Sequence, residues 1–264
     1  MTLPSGATLQ NRLLATLPQE AFDHLKSHLE PVSLLPRQVL YEQSAPIDRV
    51  YFPEQGVLSV LAVMNNGAMG EVGMIGAEGM AGAPMLLGAP TSAQRVMVQV
   101  PGTALCITTP SCRSAFARQP AFHEVVLRFV DGFLNLGAQT AACNLHHSAE
   151  QRLARWLLMT WERTRAETMP ITHEFLSAML GVRRTGVTAI AVELQRAGFI
   201  DYHRGTLRIT DHAGLAGAAC ECYRIDSERV ERMLVNAGEK MHRRTGVKMH
   251  HGRAASWSAA FQFD

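Results

Sequence analysis

The chain has 264 residues, 47% hydrophobic and 18% charged, with a formal net charge of +2. These totals describe globular domains with a sizeable core and exclude a disordered chain; no apolar run reaches the roughly 18 residues of a membrane span. Charge is uneven, net −2 over residues 1–144 and net +4 over residues 145–264, which biases the C-terminal half toward a polyanionic partner.

Residues 1–15 show no basic stretch followed by an apolar one, so no signal peptide is expected and a cytoplasmic location follows. Over residues 8–30, Leu9, Leu13, Leu14, Leu17, Phe22, Leu25 and Leu29 recur at helical spacing, and Pro18 starts a second helix. From Pro31 to Thr109 the texture is short apolar runs separated by turn signals at Glu54-Gln55-Gly56, Asn65-Asn66-Gly67 and Pro101-Gly102, the pattern of an antiparallel barrel or sandwich. The Gly- and Met-rich stretch 70–90 needs tight turns or a backbone that approaches something closely. A long helix is expected over residues 121–145. Val126, Phe129, Phe133, Leu136, Thr140 and Cys143 alternate in steps of three and four along it, as in a coiled-coil dimer seam. The next helix, 148–164, opens with a capping box at Ser148 and Gln151.

Residues 168–211 carry the functional signal. A helix capped by Thr172 buries Phe175, Leu176 and Met179. The turn Leu180-Gly181-Val182 leads into a second helix that buries Val187, Ile190, Ala191 and Leu194. The first turn of that helix exposes Arg183, Arg184, Thr185 and Thr188. A hairpin follows, with Arg204 and Arg208 beside its turn at His203-Arg204-Gly205. Two short helices around a Gly-containing turn, then a basic hairpin, make a winged helix-turn-helix. Its second helix enters the DNA major groove N-terminus first. Arginines there suit guanine edges or phosphates, and threonines suit phosphates or a thymine methyl.

The words ITHEFLSAMLGVRRTGVTAIAVELQRAGFI and HRGTLRI, preceded by GEVGMIGAEGMAGAPMLLGAPTSAQRVMVQVPGTAL, resemble the CRP/FNR family of transcription regulators over residues 9–215. The resemblance implies an α+β fold in four parts. These are an N-terminal antiparallel β-roll (cyclic-nucleotide-binding-like) over 1–120, a long dimerisation helix over 121–146, a C-terminal winged helix-turn-helix over 147–223, and a helix with a basic tail over 224–264. It also implies a homodimer on a palindromic double-stranded DNA operator, RNA polymerase as a further partner, and a cyclic nucleotide or cyclic dinucleotide as the effector class. Arg184 falls where the family reads a base. Thr185 stands where many members have glutamate and Ala189 where some have a second arginine, so the operator should differ from the best-known one.

In cyclic-nucleotide binders that the chain resembles, a glutamate after a glycine holds the ribose and an arginine holds the phosphate. Here Met80 or Ala83 follows the matching glycine. The expected pocket is therefore remodelled, built from Glu78, Gly79, Gly82, Ser92, Gln94 and Arg95, with Thr140 and Asn144 reaching it from the long helix. A small anion near Arg95, an apolar effector, or no effector fits these residues. Effector binding would rotate the C-terminal domain about a hinge near residues 144–147.

The five cysteines, Cys106, Cys112, Cys143, Cys220 and Cys222, are an odd number at irregular spacing, no disulfide framework. The family's iron–sulfur members cluster cysteines near the N-terminus, where this chain has none. Cys220-x-Cys222 alone falls short of a four-ligand site, so the cysteines read as structural and no metal is expected. Tail histidines His242, His250 and His251 read as part of a solvated basic tail. No phosphate loop, nucleophile elbow or HExxH spacing is present, so no enzyme is expected. The competing function is an effector-binding signalling module that uses the winged helix for protein contacts.

Overall fold

The computed structural model describes residues 9–235; the basic tail and its histidines lie outside them. Two short helices, α1 (Arg12–Ala15) and α2 (Gln19–Lys26), precede the strands, with Pro18 as the N-cap of α2. Strands β1 (Glu30–Leu34), β2 (Val39–Tyr41), β3 (Arg49–Val63), β4 (Met69–Ile75) and β5 (Arg95–Thr108) form one antiparallel sheet, ordered β1-β5-β3-β4 with β2 also on β5. Bridges Tyr51–Ala81 and Pro46–Thr91 draw the β4–β5 connection back onto this sheet, which makes it a roll.

Two of the three expected turns are not turns. Glu54-Gln55-Gly56 lies inside β3 and Pro101-Gly102 inside β5, where the register between the two strands shifts. The backbones come so close here that a Cβ on Gly102 would stand 2.2 Å from the Gln55 carbonyl oxygen. The glycines thus permit a bulge in two long strands rather than ending them. Residues 64–68 do form the β3–β4 turn.

Helix α3 (Thr109–Arg118) leads into α4 (Pro120–His146), the expected long helix. The expected seam faces inward: Val126 and Phe129 lie in the roll's core, and Leu136 and Cys143 are buried. Phe129 and Phe133 stack on each other and press on Gly79 and Gly73. A second face of α4 is covered by α9 (Cys222–Leu234), where Met233 packs on Gly132. Among the described residues, the face that stays exposed carries Leu127, Leu134, Ala138, Ala141 and Leu145, with Leu134 68% and Leu145 82% exposed. The stripe expected to face a partner is thus consumed by the helix's own domain, and the exposed apolar residues are displaced from it by one or two positions.

The close approach behind the Gly-rich stretch has a measurable consequence. A Cβ on Gly79 would lie 2.5 Å from Phe129 Cε2, and Phe129 is 3% exposed with no room to swing away. Gly79→Ala is expected to lower unfolding stability by about 1–3 kcal/mol in urea titration; an unchanged midpoint would disprove the packing argument.

After α4 come α5 (Ala149–Thr164), β6 (Met169–Pro170), α6 (His173–Leu180), α7 (Arg184–Arg196), the hairpin β7 (Ile200–His203) and β8 (Thr206–Ile209), and α8 (His212–Ala218). The Ser148–Gln151 capping box forms as expected. A second core unites Leu153, Leu157, Met169, Leu176, Val187, Leu194, Leu207 and Leu215 with Val57, Leu61 and Met74 of the roll. The C-terminal helices therefore pack directly on the sheet.

Candidate functional site

Helices α6 and α7 meet at 108°, inside the 90–120° range of helix-turn-helix pairs. Thr172 caps α6 by accepting from Phe175 N–H at 3.1 Å. Arg183 stands at the N-cap of α7, and Arg183, Arg184, Thr185, Thr188 and Ala189 are exposed along its N-terminal half. The hairpin turn places Arg204 and Gly205 at positive φ, and the Gly205 carbonyl accepts from Ile171 N–H at 2.9 Å. The wing tip is thereby held against the start of α6, beside Thr172. Arg208 on β8 pairs loosely with Asp201 at 3.5 Å. The helix end supplies unpaired N–H groups and a positive dipole, so arginine side chains and backbone favour an anion at the same place.

Sequence reasoning missed the residues that hold these parts together. His173 stacks on Tyr202 of the wing at 4.5 Å and 14°, and its Nδ1 lies 2.9 Å from Thr188 Oγ1. Tyr202 donates its hydroxyl to the Ile171 carbonyl at 3.0 Å. Burial and the nearby Arg184 charge lower the His173 pKa. Thr188 also donates to the Arg184 carbonyl at 3.0 Å, which commits its hydroxyl to partners within the protein. A histidine in the first turn of α6 and a tyrosine in the wing, 29 positions on, give no local signal of contact.

The roll holds an apolar pocket lined by Tyr41, Ile47, Val60, Met80, Phe133 and Leu134, among others, without a lysine or arginine in its wall. Of the expected effector residues, Gly82, Ser92 and Gln94 line it. The others are engaged elsewhere. Arg95 pairs with Glu42 at 2.8 Å. Glu78 is buried and paired with Arg163 of α5 at 2.7 Å. Gly79 packs on Phe129. Thr140 accepts from Arg155 at 3.1 Å and Asn144 from Arg152 at 3.0 Å, so both join α4 to α5 instead. A buried phosphate needs a fixed cation or converging N–H donors; with no lysine or arginine in the wall, a phosphate here would have to rest on backbone N–H groups and on Ser92 and Gln94.

Between roll and winged helix lies a buried polar network. Glu71 of β4 accepts from Trp156 Nε1 of α5 at 2.8 Å, and its other oxygen lies 2.6 Å from Ser59 Oγ. Ser59 Oγ is also 2.9 Å from Gln99 Oε1, and Gln99 Nε2 donates to Thr160 Oγ1 at 3.0 Å. Burial raises the Glu71 pKa to about 7, against the lowering effect of its hydrogen bonds and of Arg163 and Arg155.

Among families, the Cyclic nucleotide-binding domain matches residues 31–119 and the Crp-like helix-turn-helix domain residues 151–218. Of solved structures, the c-di-GMP responsive global regulator CLP of Xanthomonas campestris aligns at TM-score 0.62 and 14% identity, covering 74% of this chain and 100% of that one. FixK2 of Bradyrhizobium japonicum aligns at 0.60 and 13%, covering 73% and 98%. TTHA1359 of Thermus thermophilus, a transcriptional regulator of the CRP/FNR family, aligns at 0.60 and 22%, covering 72% and 98%. These structural likenesses show the fold. A search of curated proteins found no match.

Proposed function

The chain belongs to the CRP/FNR family of transcription regulators, and from that premise we propose that it acts in the cytoplasm as a homodimer on a palindromic double-stranded operator. The carrying observation is the exposed pair Arg183 and Arg184 at the start of a helix set at 108° to its partner and flanked by a wing. Two such helices, set by a dimer axis along α4, meet successive major grooves one helical turn apart. Arg184 reads a base edge. Arg183, Thr172 and Arg204 hold the phosphate backbone, with Arg208 beside them, while Thr185 and Thr188 face the groove. RNA polymerase is the expected further partner.

The β-roll, in this reading, has lost the phosphate-binding half of a cyclic-nucleotide site and takes an apolar effector or none. Ligand contacts there would bias rotation about residues 144–147.

Selection of bound duplexes from random DNA, with no ligand added, is expected to return a two-fold palindrome with half-sites about 10–11 base pairs apart. On that site Arg184→Ala should weaken binding about 10- to 100-fold and relax one position per half-site, with the unfolding midpoint unchanged. No enriched sequence, or equal affinity of the variant for all sites, would refute the reading. Adding cyclic mono- or dinucleotides should leave the affinity unchanged; an increase would restore a nucleotide effector.

A further inference from the structure

Cys143 occupies the last turn of α4, and His147 is the C-cap residue immediately after that helix. Cys220 and Cys222 flank the junction of α8 and α9, after the wing. Although more than 70 positions separate the two pairs, their ligand atoms all lie within 4.8 Å of one another. Cys143 Sγ is 3.5 Å from Cys220 Sγ, and Cys222 Sγ is 3.6 Å from His147 Nδ1. The three sulfurs are buried, at 0%, 4% and 1% exposure for Cys143, Cys220 and Cys222.

We propose that Cys143, His147, Cys220 and Cys222 form a mononuclear Cys3His site for a soft divalent cation, zinc foremost, that fastens the end of the long helix to the segment behind the wing. Tetrahedral zinc with bonds of about 2.3 Å to sulfur and 2.0 Å to nitrogen places its ligand atoms roughly 3.5–3.8 Å apart; the Cys143–Cys220 and Cys222–His147 separations have that spacing already, and the remaining pairs, within 4.8 Å, need only a small contraction to reach it. The sulfurs of a multi-iron cluster sit on different irons and stand farther apart, so the compactness selects a single ion. The surroundings match as well. A metal-bound histidine ordinarily gives its other ring nitrogen to a carboxylate, and His147 Nε2 lies 3.2 Å from Glu221 Oε2. Gln139 Nε2 donates to Cys222 Sγ at 3.1 Å, the kind of outer hydrogen bond that orients a metal ligand. Three thiolates and one divalent cation leave a single negative charge.

The location gives the ion a consequence. His147 is followed directly by Ser148, the N-cap of α5, so the ion grips the joint between α4 and the DNA-binding helices. This consequence rests on the DNA-binding reading; the site itself does not.

The test uses the full chain prepared anaerobically with reductant, loaded with zinc and then desalted. About one zinc per chain is expected by elemental analysis. Cobalt substitution should give the thiolate-to-metal charge-transfer band and the intense d–d bands of a tetrahedral thiolate site. Cys222→Ser and His147→Ala should lose the bound zinc on desalting, while Cys106→Ser, outside the cluster, retains it. Less than about a tenth of an ion per chain, or a cobalt spectrum without the charge-transfer band in the unaltered protein, would overturn the site whatever the variants do. So would a Cys143–Cys220 disulfide under these conditions, or acid-labile sulfide. Failure to find an operator would remove only the hinge consequence.

Discussion

Leu134→Glu is expected to convert the protein from a dimer to a folded monomer and to reduce operator affinity about 10²- to 10⁴-fold, the range lost when two linked binding events become independent. Leu127, Leu134 and Ala141 are spaced seven apart, with Ala138 and Leu145 completing the stripe. That is heptad spacing on the face of α4 that stays most exposed among the described residues, with Leu134 at the rim of the roll's pocket and Leu127 beside α9. Leu134 is 68% exposed in the single chain, so a carboxylate there costs a monomer little. In a dimer two copies would be brought together and buried, and unpaired buried charge is severely unfavourable. Light scattering at micromolar concentration reads the first effect and operator titration the second. Phe129→Ala is the contrasting variant, expected to leave the dimer intact and cost about 3–5 kcal/mol of chain stability, because Phe129 packs within its own core. A Leu134→Glu protein that remained dimeric would place the interface elsewhere.

The contrast between Leu134 and Phe129 shows where sequence reading stops. Periodicity reveals that α4 has apolar stripes; it does not say which stripe its own domain consumes, and Val126 and Leu127 differ by one position. The winged helix was legible because its signals are local. The Ser148–Gln151 box, the Thr172 cap and the arginines after the turn each lie within a few residues of what they shape. The pocket was not. Glu78 and Arg163 are 85 positions apart, and nothing near Glu78 reveals that its carboxylate is spent on α5 rather than on a ligand. The same holds for Cys220-x-Cys222, which reads as an isolated pair until the fold supplies Cys143 and His147.

Glu71→Gln is expected to remove a pH dependence of stability worth about 3 kcal/mol in full, and proton counting gives the reason. Ser59 has one hydroxyl proton and two acceptors in reach, Gln99 Oε1 at 2.9 Å and Glu71 Oε2 at 2.6 Å. Gln99 is oriented by its amide donation to Thr160, whose own hydroxyl donates to the Trp156 carbonyl at 2.9 Å. A proton on the Glu71 carboxyl lets both short contacts be hydrogen bonds at once, with Glu71 donating to Ser59 and Ser59 to Gln99, whereas an ionised Glu71 takes the Ser59 proton and leaves Gln99 Oε1 without it. Burial raises the Glu71 pKa to about 7 from the ordinary 4.5; Arg163 and Arg155, the charged groups facing it from α5, lower it only in part. Because the folded value is the higher one, the native chain holds a proton that the unfolded chain releases above about pH 4.5. The stabilisation is complete below that value and is lost as pH rises through about 7. Glutamine keeps the geometry, with its Nε2 donating to Ser59 and its Oε1 accepting from Trp156, but does not titrate. Unfolding at about pH 5.5 and about pH 8 samples the part of this window above pH 5.5, roughly 2 kcal/mol. The natural protein should lose that much more stability across the interval than Glu71→Gln. Parallel curves for the two proteins would mean that Glu71 is ionised throughout, with Ser59 donating its hydroxyl to the carboxylate. Since Glu71 lies on the roll and Trp156 on the first DNA-binding helix, the proton is a fastening between the two halves, and mild alkalinity is the condition that weakens it.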